Sequence, residues 1–176
     1  MLEVREILEQ RYPRFFEEHQ RAAATLCRFL GLLFYEKRFQ QFQAEHPHLT
    51  NFDFVDAVLR YFDFSLRLQE RERSRIPDSG RVVIVANHPI GSLDGLALLN
   101  LVREVRPDVR VVANEVLAEI KPLRSLLLPV HNMGGNTPRE NLRNIRGHLE
   151  DEGALIIFPA GEVSRLGPKG IKDGKW

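Results

Sequence analysis

The chain has 176 residues, a hydrophobic fraction of 43%, a charged fraction of 28% and a formal net charge of +1 at neutral pH. These are the values of a folded globular domain, which excludes a disordered chain, and the near-zero charge balance gives no reason to expect nucleic acid or another polyanion as a partner. The single cysteine, Cys27, cannot close an internal disulfide and reads as a small core residue, in keeping with a reducing, cytoplasmic compartment.

The N-terminus opens with Glu3, Arg5, Glu6 and Glu9 rather than an apolar run, so no signal peptide is expected. Leu2 to Gln10 predicts a short helix that Pro13 ends or kinks. Phe15 to Glu45 predicts a longer helical region, ended at the His46-Pro47 step. Within it, Ala22 to Tyr35 is the longest apolar stretch. Arg28 interrupts this stretch, which falls short of the roughly 20 residues a spanning helix needs. No transmembrane segment is therefore expected.

Ten of the eleven phenylalanines precede Leu66, so the two halves of the chain differ in character. The Phe-rich part reads as a helical cap on a sheet. It also reads as an interfacial surface, with Phe29, Leu30, Leu33 and Phe34 entering lipid and Arg28, Lys37 and Arg38 meeting headgroups.

Thr50, with Asp53 three residues on, resembles a capping box. It opens a helix with Phe54, Val55, Val58, Leu59 and Phe62 on one face. The period then changes. Phe64, Leu66 and Leu68 alternate with Ser65, Arg67 and Gln69, which predicts a half-buried strand. The expected division is a helical region over 1–63 and an α/β domain over 64–176.

Arg81 to Ala86 contains a continuous Val/Ile run, the pattern of a strand buried on both faces. Gly95 to Val105 follows as a helix, Val109 to Asn114 as a second buried strand and Leu126 to Val130 as a third. Thr137-Pro138-Arg139-Glu140 marks a helix start, with Thr137 as the cap. That helix runs to about Glu150, and Ala154 to Phe158 is another buried strand. Alternation of this kind implies an α/β fold with a mostly parallel sheet, helices on its faces and right-handed crossovers. Lys169 to Trp176 shows no helix or strand to close the sheet, so the α/β domain is expected to be incomplete at its C-terminal end.

Open parallel sheets bind ligands beyond the carboxyl ends of their strands. Those positions hold Asn87-His88-Pro89-Ile90-Gly91-Ser92-Leu93-Asp94, then Asn114-Glu115, then His131 to Asn136, then Pro159 to Arg165. His88 stands at a strand end with a carboxylate, Asp94, at the mouth of the next helix. Imidazole suits a general base because its ordinary pKa is about 6.5, and a carboxylate on its other nitrogen would fix the tautomer. On spacing alone a second reading stands equally: Asp94 caps the helix and His88 is a buried, hydrogen-bonded histidine.

Ser92 is not in a Gly-x-Ser-x-Gly elbow, so a serine hydrolase is not expected. His131 and His148 lack metal-ligand spacing with His88, and no metal or bound cofactor is expected. The glycines near Gly134 do not form a dinucleotide fingerprint. Lys169, Lys172 and Lys175 form a basic cluster, either a solvated tail or a contact for anionic lipid or acyl carrier protein.

Asn87-His88 with Asp94, followed by Phe158-Pro159-Ala160-Gly161 and Ser164-Arg165, resembles the glycerolipid (lysophosphatidate-type) acyltransferase family. The resemblance covers roughly Arg81 to Arg165. It implies His88 and Asp94 as the catalytic pair of an O-acyltransferase, and Asn87, Gly91, Ser92, Arg139, Pro159, Gly161, Glu162, Ser164 and Arg165 as substrate contacts. Arg139 is a weak match to the family's acceptor-binding arginine, and a solvated first-turn arginine is the plain alternative.

Five residues separate His88 from Asp94 where the common form has four, and Ala160 stands where a glutamate is usual. Both departures look like the hemolysin-like branch, which includes enzymes of ornithine- and glycine-lipid synthesis. The implied reaction moves an acyl group directly from acyl carrier protein or coenzyme A to a lysolipid hydroxyl. The implied setting is the cytoplasmic face of the membrane, held peripherally. The rival expectations are a lipid-ester hydrolase using the same pair, and a non-catalytic lipid- or phosphate-binding module.

Overall fold

The computed structural model describes residues 13–18, 20, 36–88, 91–131, 137–160, 165–167 and 170–172. The chain forms two compact units, Met1–Leu49 and Thr50–Trp176. In the first, α1 spans Pro13–Glu18 and α2 spans Glu36–Glu45. Phe16 and Phe42 are buried, and Phe42 stacks on His46 with ring centroids 4.6 Å apart. Leu2 to Gln10, Ala22 to Tyr35 and Cys27 lie outside the described residues.

The second unit opens with α3, Asn51–Tyr61, whose Phe54, Val55, Val58 and Leu59 are buried. Thr50 caps it by position, but its side chain makes no capping hydrogen bond. The helix ends at Asp63, whose φ of 51° turns the chain into the left-handed region, and the Phe64 N–H closes back on the Leu59 carbonyl at 2.8 Å.

The strand expected at Phe64 to Leu68 does not form. The segment forms no strand with any of the described residues, and Leu66 and Leu68 are 51% and 38% exposed. Alternation supplies a side-chain period, whereas a strand also needs a ladder partner. A single-turn α4, Glu70–Arg73, follows.

Among the described residues the sheet is built from β1 (Val82–Val85), β2 (Arg110–Asn114), β3 (Leu127–Val130) and β4 (Ala154–Ile157), in the order β1-β4-β2-β3, all parallel and not closed. Helix α5 (Ser92–Arg103) joins β1 to β2, two 3₁₀ turns (Glu115–Glu119 and Lys121–Leu126) join β2 to β3, and α6 (Arg139–Glu150) returns from β3 to β4. The two helical crossovers run in opposite directions along the strand order, so right-handed connections place α5 and α6 on opposite faces. The α/β architecture with a parallel, unclosed sheet matches the sequence reading.

Strand β4 lies inside the sheet, and its Ala154, Leu155 and Ile156 are buried. Strand β1 lies at the edge and is not buried on both faces as its Val/Ile run suggested: Val83 and Val85 are 47% and 46% exposed. Helix α6 packs on β3 and β4.

Helix α3 packs on α5 and the second 3₁₀ turn. Arg103 fastens it, reaching Asp56 at 2.5 Å and lying 5.0 Å from the Phe52 ring centroid. Arg106, only 3% exposed, ties the N-terminal ends of the strands together. It holds Asp108 with two hydrogen bonds of 2.9 and 2.7 Å and donates to the carbonyls of Gly80 and Glu152 at 2.7 and 2.6 Å.

Two further departures concern connections. Thr137 does not cap α6. Pro138 holds that position, and the Thr137 hydroxyl instead accepts the His131 N–H at 3.1 Å. The C-terminal stretch is not free of strands: β5 (Arg165–Gly167) and β6 (Gly170–Lys172) form an antiparallel hairpin. The hairpin pairs with itself and does not join the parallel sheet.

Candidate active site

Helix α5 begins at Ser92, three residues earlier than its apolar pattern suggested, because Gly91 takes a φ of 106° and ψ of −139° at the cap. That conformation is open to glycine and strained for any other residue. The early start makes Asp94 the third helical residue, aimed back at the cap. One carboxylate oxygen, Oδ2, accepts the Gly91 N–H at 3.3 Å. The other, Oδ1, lies 2.6 Å from His88 Nδ1. Both of the latter atoms are buried, and the contact meets the distance of a hydrogen bond but not its alignment. One carboxylate thus caps the helix with one oxygen and lies against the imidazole with the other.

With Nδ1 beside Asp94, Nε2 is the ring nitrogen that this contact leaves uncovered. The His88 side chain is 20% exposed and that of Asp94 17%. The Phe158 ring, at the end of β4, stacks on His88 with centroids 4.3 Å apart and planes at 30°. Gly95 lies beneath both rings. A Cβ there would sit 3.7 Å from His88 Cε1 and 3.8 Å from Phe158 Cε2. Phe158 and Gly95 were not among the expected site residues. Phe158 stood in the sequence only as part of the Phe158-Pro159-Ala160-Gly161 motif, and its contact with His88 depends on the adjacency of β1 and β4, which a single sequence does not display.

Of the expected contacts, Asn87, Gly91 and Ser92 stand beside the pair on the β1–α5 connection. Pro159 is exposed directly after Phe158. Arg139 is exposed at the first residue of α6, past the end of β3 on the same rim of the sheet. Gly161, Glu162 and Ser164 lie outside the described residues, as do Pro89 and Ile90; Arg165 opens β5.

A second pair stands further along the rim. Glu115 Oε2, directly after β2, contacts His131 Nε2, directly after β3. Among the described residues no group of three or more His, Cys, Asp or Glu side chains could hold a metal ion.

A histidine with one ring nitrogen against a carboxylate, standing past a parallel-strand end, keeps its other nitrogen as a base that can deprotonate a hydroxyl. The acyltransferase family model matches residues 19–176. The chain belongs to this acyltransferase family. Two curated relatives, both named lyso-glycine lipid O-acyltransferase, are similar to it. The protein of Phocaeicola vulgatus is 26% identical over 149 residues, covering 84% of this chain and 52% of the relative. That of Bacteroides thetaiotaomicron is 24% identical over 177 residues, covering 100% of this chain and 63% of the relative. The chain thus spans between half and two thirds of the length of these relatives. No solved structure matches it.

Proposed function

We propose that this family member is a lysolipid O-acyltransferase that moves a fatty acyl group from a thioester donor, acyl carrier protein or coenzyme A, to the hydroxyl of a lysolipid. The observation that carries this reading is the contact of His88 Nδ1 with Asp94 Oδ1 at the rim of the sheet. The family match and the names of the two relatives support acyl transfer to a lysolipid.

In this mechanism His88 Nε2 takes the proton of the acceptor hydroxyl as its oxygen attacks the thioester carbonyl. Asp94 fixes the tautomer and stabilises the imidazolium. The tetrahedral intermediate collapses, the carbon–sulfur bond breaks, and the imidazolium returns the proton to the leaving sulfur. The acyl group passes directly from the donor to the acceptor, without an acyl-enzyme intermediate. Phe158 covers one face of the ring and limits water around it.

A lysolipid acceptor requires contact with a membrane surface, and we place the protein there peripherally, on the cytoplasmic face. Among the described residues no helix is long and apolar enough to cross a membrane.

The test is acyl transfer from labelled acyl carrier protein and acyl-coenzyme A to a panel of lysolipids, with His88→Ala alongside. Transfer to one lysolipid that is lost in the variant is expected. Release of free fatty acid without dependence on any acceptor would replace this reading with a lipid-ester hydrolase. Vesicle binding without transfer, unchanged by the variant, would replace it with a binding module.

A further inference from the structure

Two histidine–carboxylate contacts stand on the rim where the strands end. His88–Asp94 follows β1, and Glu115–His131 bridges the ends of β2 and β3. The side chains of the second pair are 19% and 23% exposed, so both groups are largely withdrawn from water. The pairs use opposite ring nitrogens. His88 turns Nδ1 to its carboxylate and presents Nε2, the outer nitrogen. His131 has its outer nitrogen, Nε2, on Glu115. That leaves Nδ1, the ring nitrogen nearer the backbone, as the second polar atom of the His131 ring. The second pair is suited to holding a substrate rather than to removing its proton.

We infer that Glu115 and His131 form a subsite for the amide-bearing arm of a pantetheine thioester, the part of the donor common to coenzyme A and acyl carrier protein. This rests on the acyl-transfer reading above. Length is the first argument. Neighbouring strands lie about 4.8 Å apart. In the order β1-β4-β2-β3, β2 is two strands from β1 and β3 is three. Glu115 and His131 therefore stand roughly 10 and 14 Å along the rim from His88. An extended chain advances about 1.2 Å per bond, which puts the second amide N–H of a pantetheine arm about 8 Å from its sulfur and the hydroxyl beyond it about 12 Å away.

Chemistry is the second argument. The arm is neutral at these points and offers N–H and O–H donors, and a carboxylate accepts hydrogen bonds from both. An anionic lipid headgroup, phosphate or carboxylate, would be set against the charge of Glu115 in a partly desolvated place, which disfavours it. The pair thus selects for the donor and against the acceptor's headgroup. Glu115 and His131 act here as positioning residues, since neither touches the reacting atoms.

Two unreactive probes separate this role from a structural one. The S-dodecyl thioether of pantetheine carries the whole arm. The S-dodecyl thioether of N-acetylcysteamine ends about 6 Å past the sulfur, short of the pair. Calorimetric binding to the wild-type chain should favour the pantetheine probe roughly tenfold, the worth of about one hydrogen bond to a charged group. Glu115→Gln and His131→Phe should each bring the two affinities close to equal. Equal affinities in the wild type, a measurement that needs no variant to fold, would overturn the inference. So would a preference unchanged in both variants. A preference that is present and pair-dependent in a protein that transfers acyl groups from no thioester would leave the subsite standing and remove the acyl-transfer reading instead.

Discussion

The ring of Phe158 lies against that of His88, with centroids 4.3 Å apart, although the two residues end different strands. Adjacent parallel strands, β1 and β4 in register from Val82 and Ala154, bring them together. The contact makes Phe158 a wall that sets the tilt of the imidazole over the Asp94 carboxylate. Phe158→Ala should lower kcat up to about tenfold, matching the usual worth of an aromatic pair. Phe158→Tyr, which keeps the ring, should stay near wild type. Steady-state kinetics of the two variants checks this, and equal rates for Ala and Tyr would show that the wall is dispensable.

His88→Ala should reduce turnover by about 100- to 10,000-fold, the range for a general base. Asp94 needs a finer substitution because it serves two partners. Asp94→Asn keeps an oxygen to accept the Gly91 N–H but loses the charge that holds the imidazole. It should therefore lose activity on the order of His88→Ala while its melting temperature moves little. Asp94→Ala should lose activity and also about 0.5–2 kcal/mol of stability with the cap. Kinetics and thermal melting of the three variants together separate the two roles.

Two glycines of this turn should respond in opposite ways. Gly91 at φ 106° cannot take a side chain without strain, so Gly91→Ala should cost about 1–3 kcal/mol and misplace Asp94. Gly95 is helical, and a methyl there would meet only ordinary contacts with His88 and Phe158. Gly95→Ala should keep activity and gain about 0.5–1 kcal/mol, as alanine does over glycine within a helix. Gly95→Leu would push both rings aside, and a shift of about 1 Å at such a site costs on the order of 100-fold in rate. Chemical denaturation beside kinetics reads all three.

These contrasts show what the sequence carried and where it stopped. Local patterns were legible: the Val/Ile runs of the sheet, the α6 stretch, and a histidine and carboxylate close enough in sequence to meet across one turn. Features that depend on which strands are neighbours were not. Val83 and Val85 read as core residues because a buried run does not say whether its strand lies at an edge. Phe158 and the Glu115–His131 pair needed the strand order, which no local pattern encodes. Leu66 and Leu68 carried a strand period without a partner strand. Thr137 carried a capping signal, but its hydroxyl took the His131 N–H instead.

Arg106 stands at the opposite end of the sheet from the pair, and its variants should change stability without touching chemistry. Nothing in the sequence pattern marked it, yet it is 3% exposed and joins Asp108 to the backbone before β1 and β4. Arg106→Met removes the charge and leaves the half-exposed Asp108 and the carbonyls of Pro77, Gly80 and Glu152 without their donor, which should cost about 1–3 kcal/mol at neutral pH. The hydrogen bonds from Arg106 hold the Asp108 carboxyl below its ordinary value, against an opposing push from desolvation. A depressed carboxyl stabilises the fold in full above its unfolded value, about 3.9, and that contribution disappears as pH falls through the folded value. Asp108→Asn should therefore be less stable than wild type at neutral pH, and the two curves should converge under acid. Urea unfolding across a pH series measures this. A gap that persists unchanged into acid would mean that Asp108 acts by shape rather than charge. Under native conditions kcat of the folded Asp108→Asn protein should match wild type, because the residues it disturbs lie where the strands begin and the His88–Asp94 pair lies where they end.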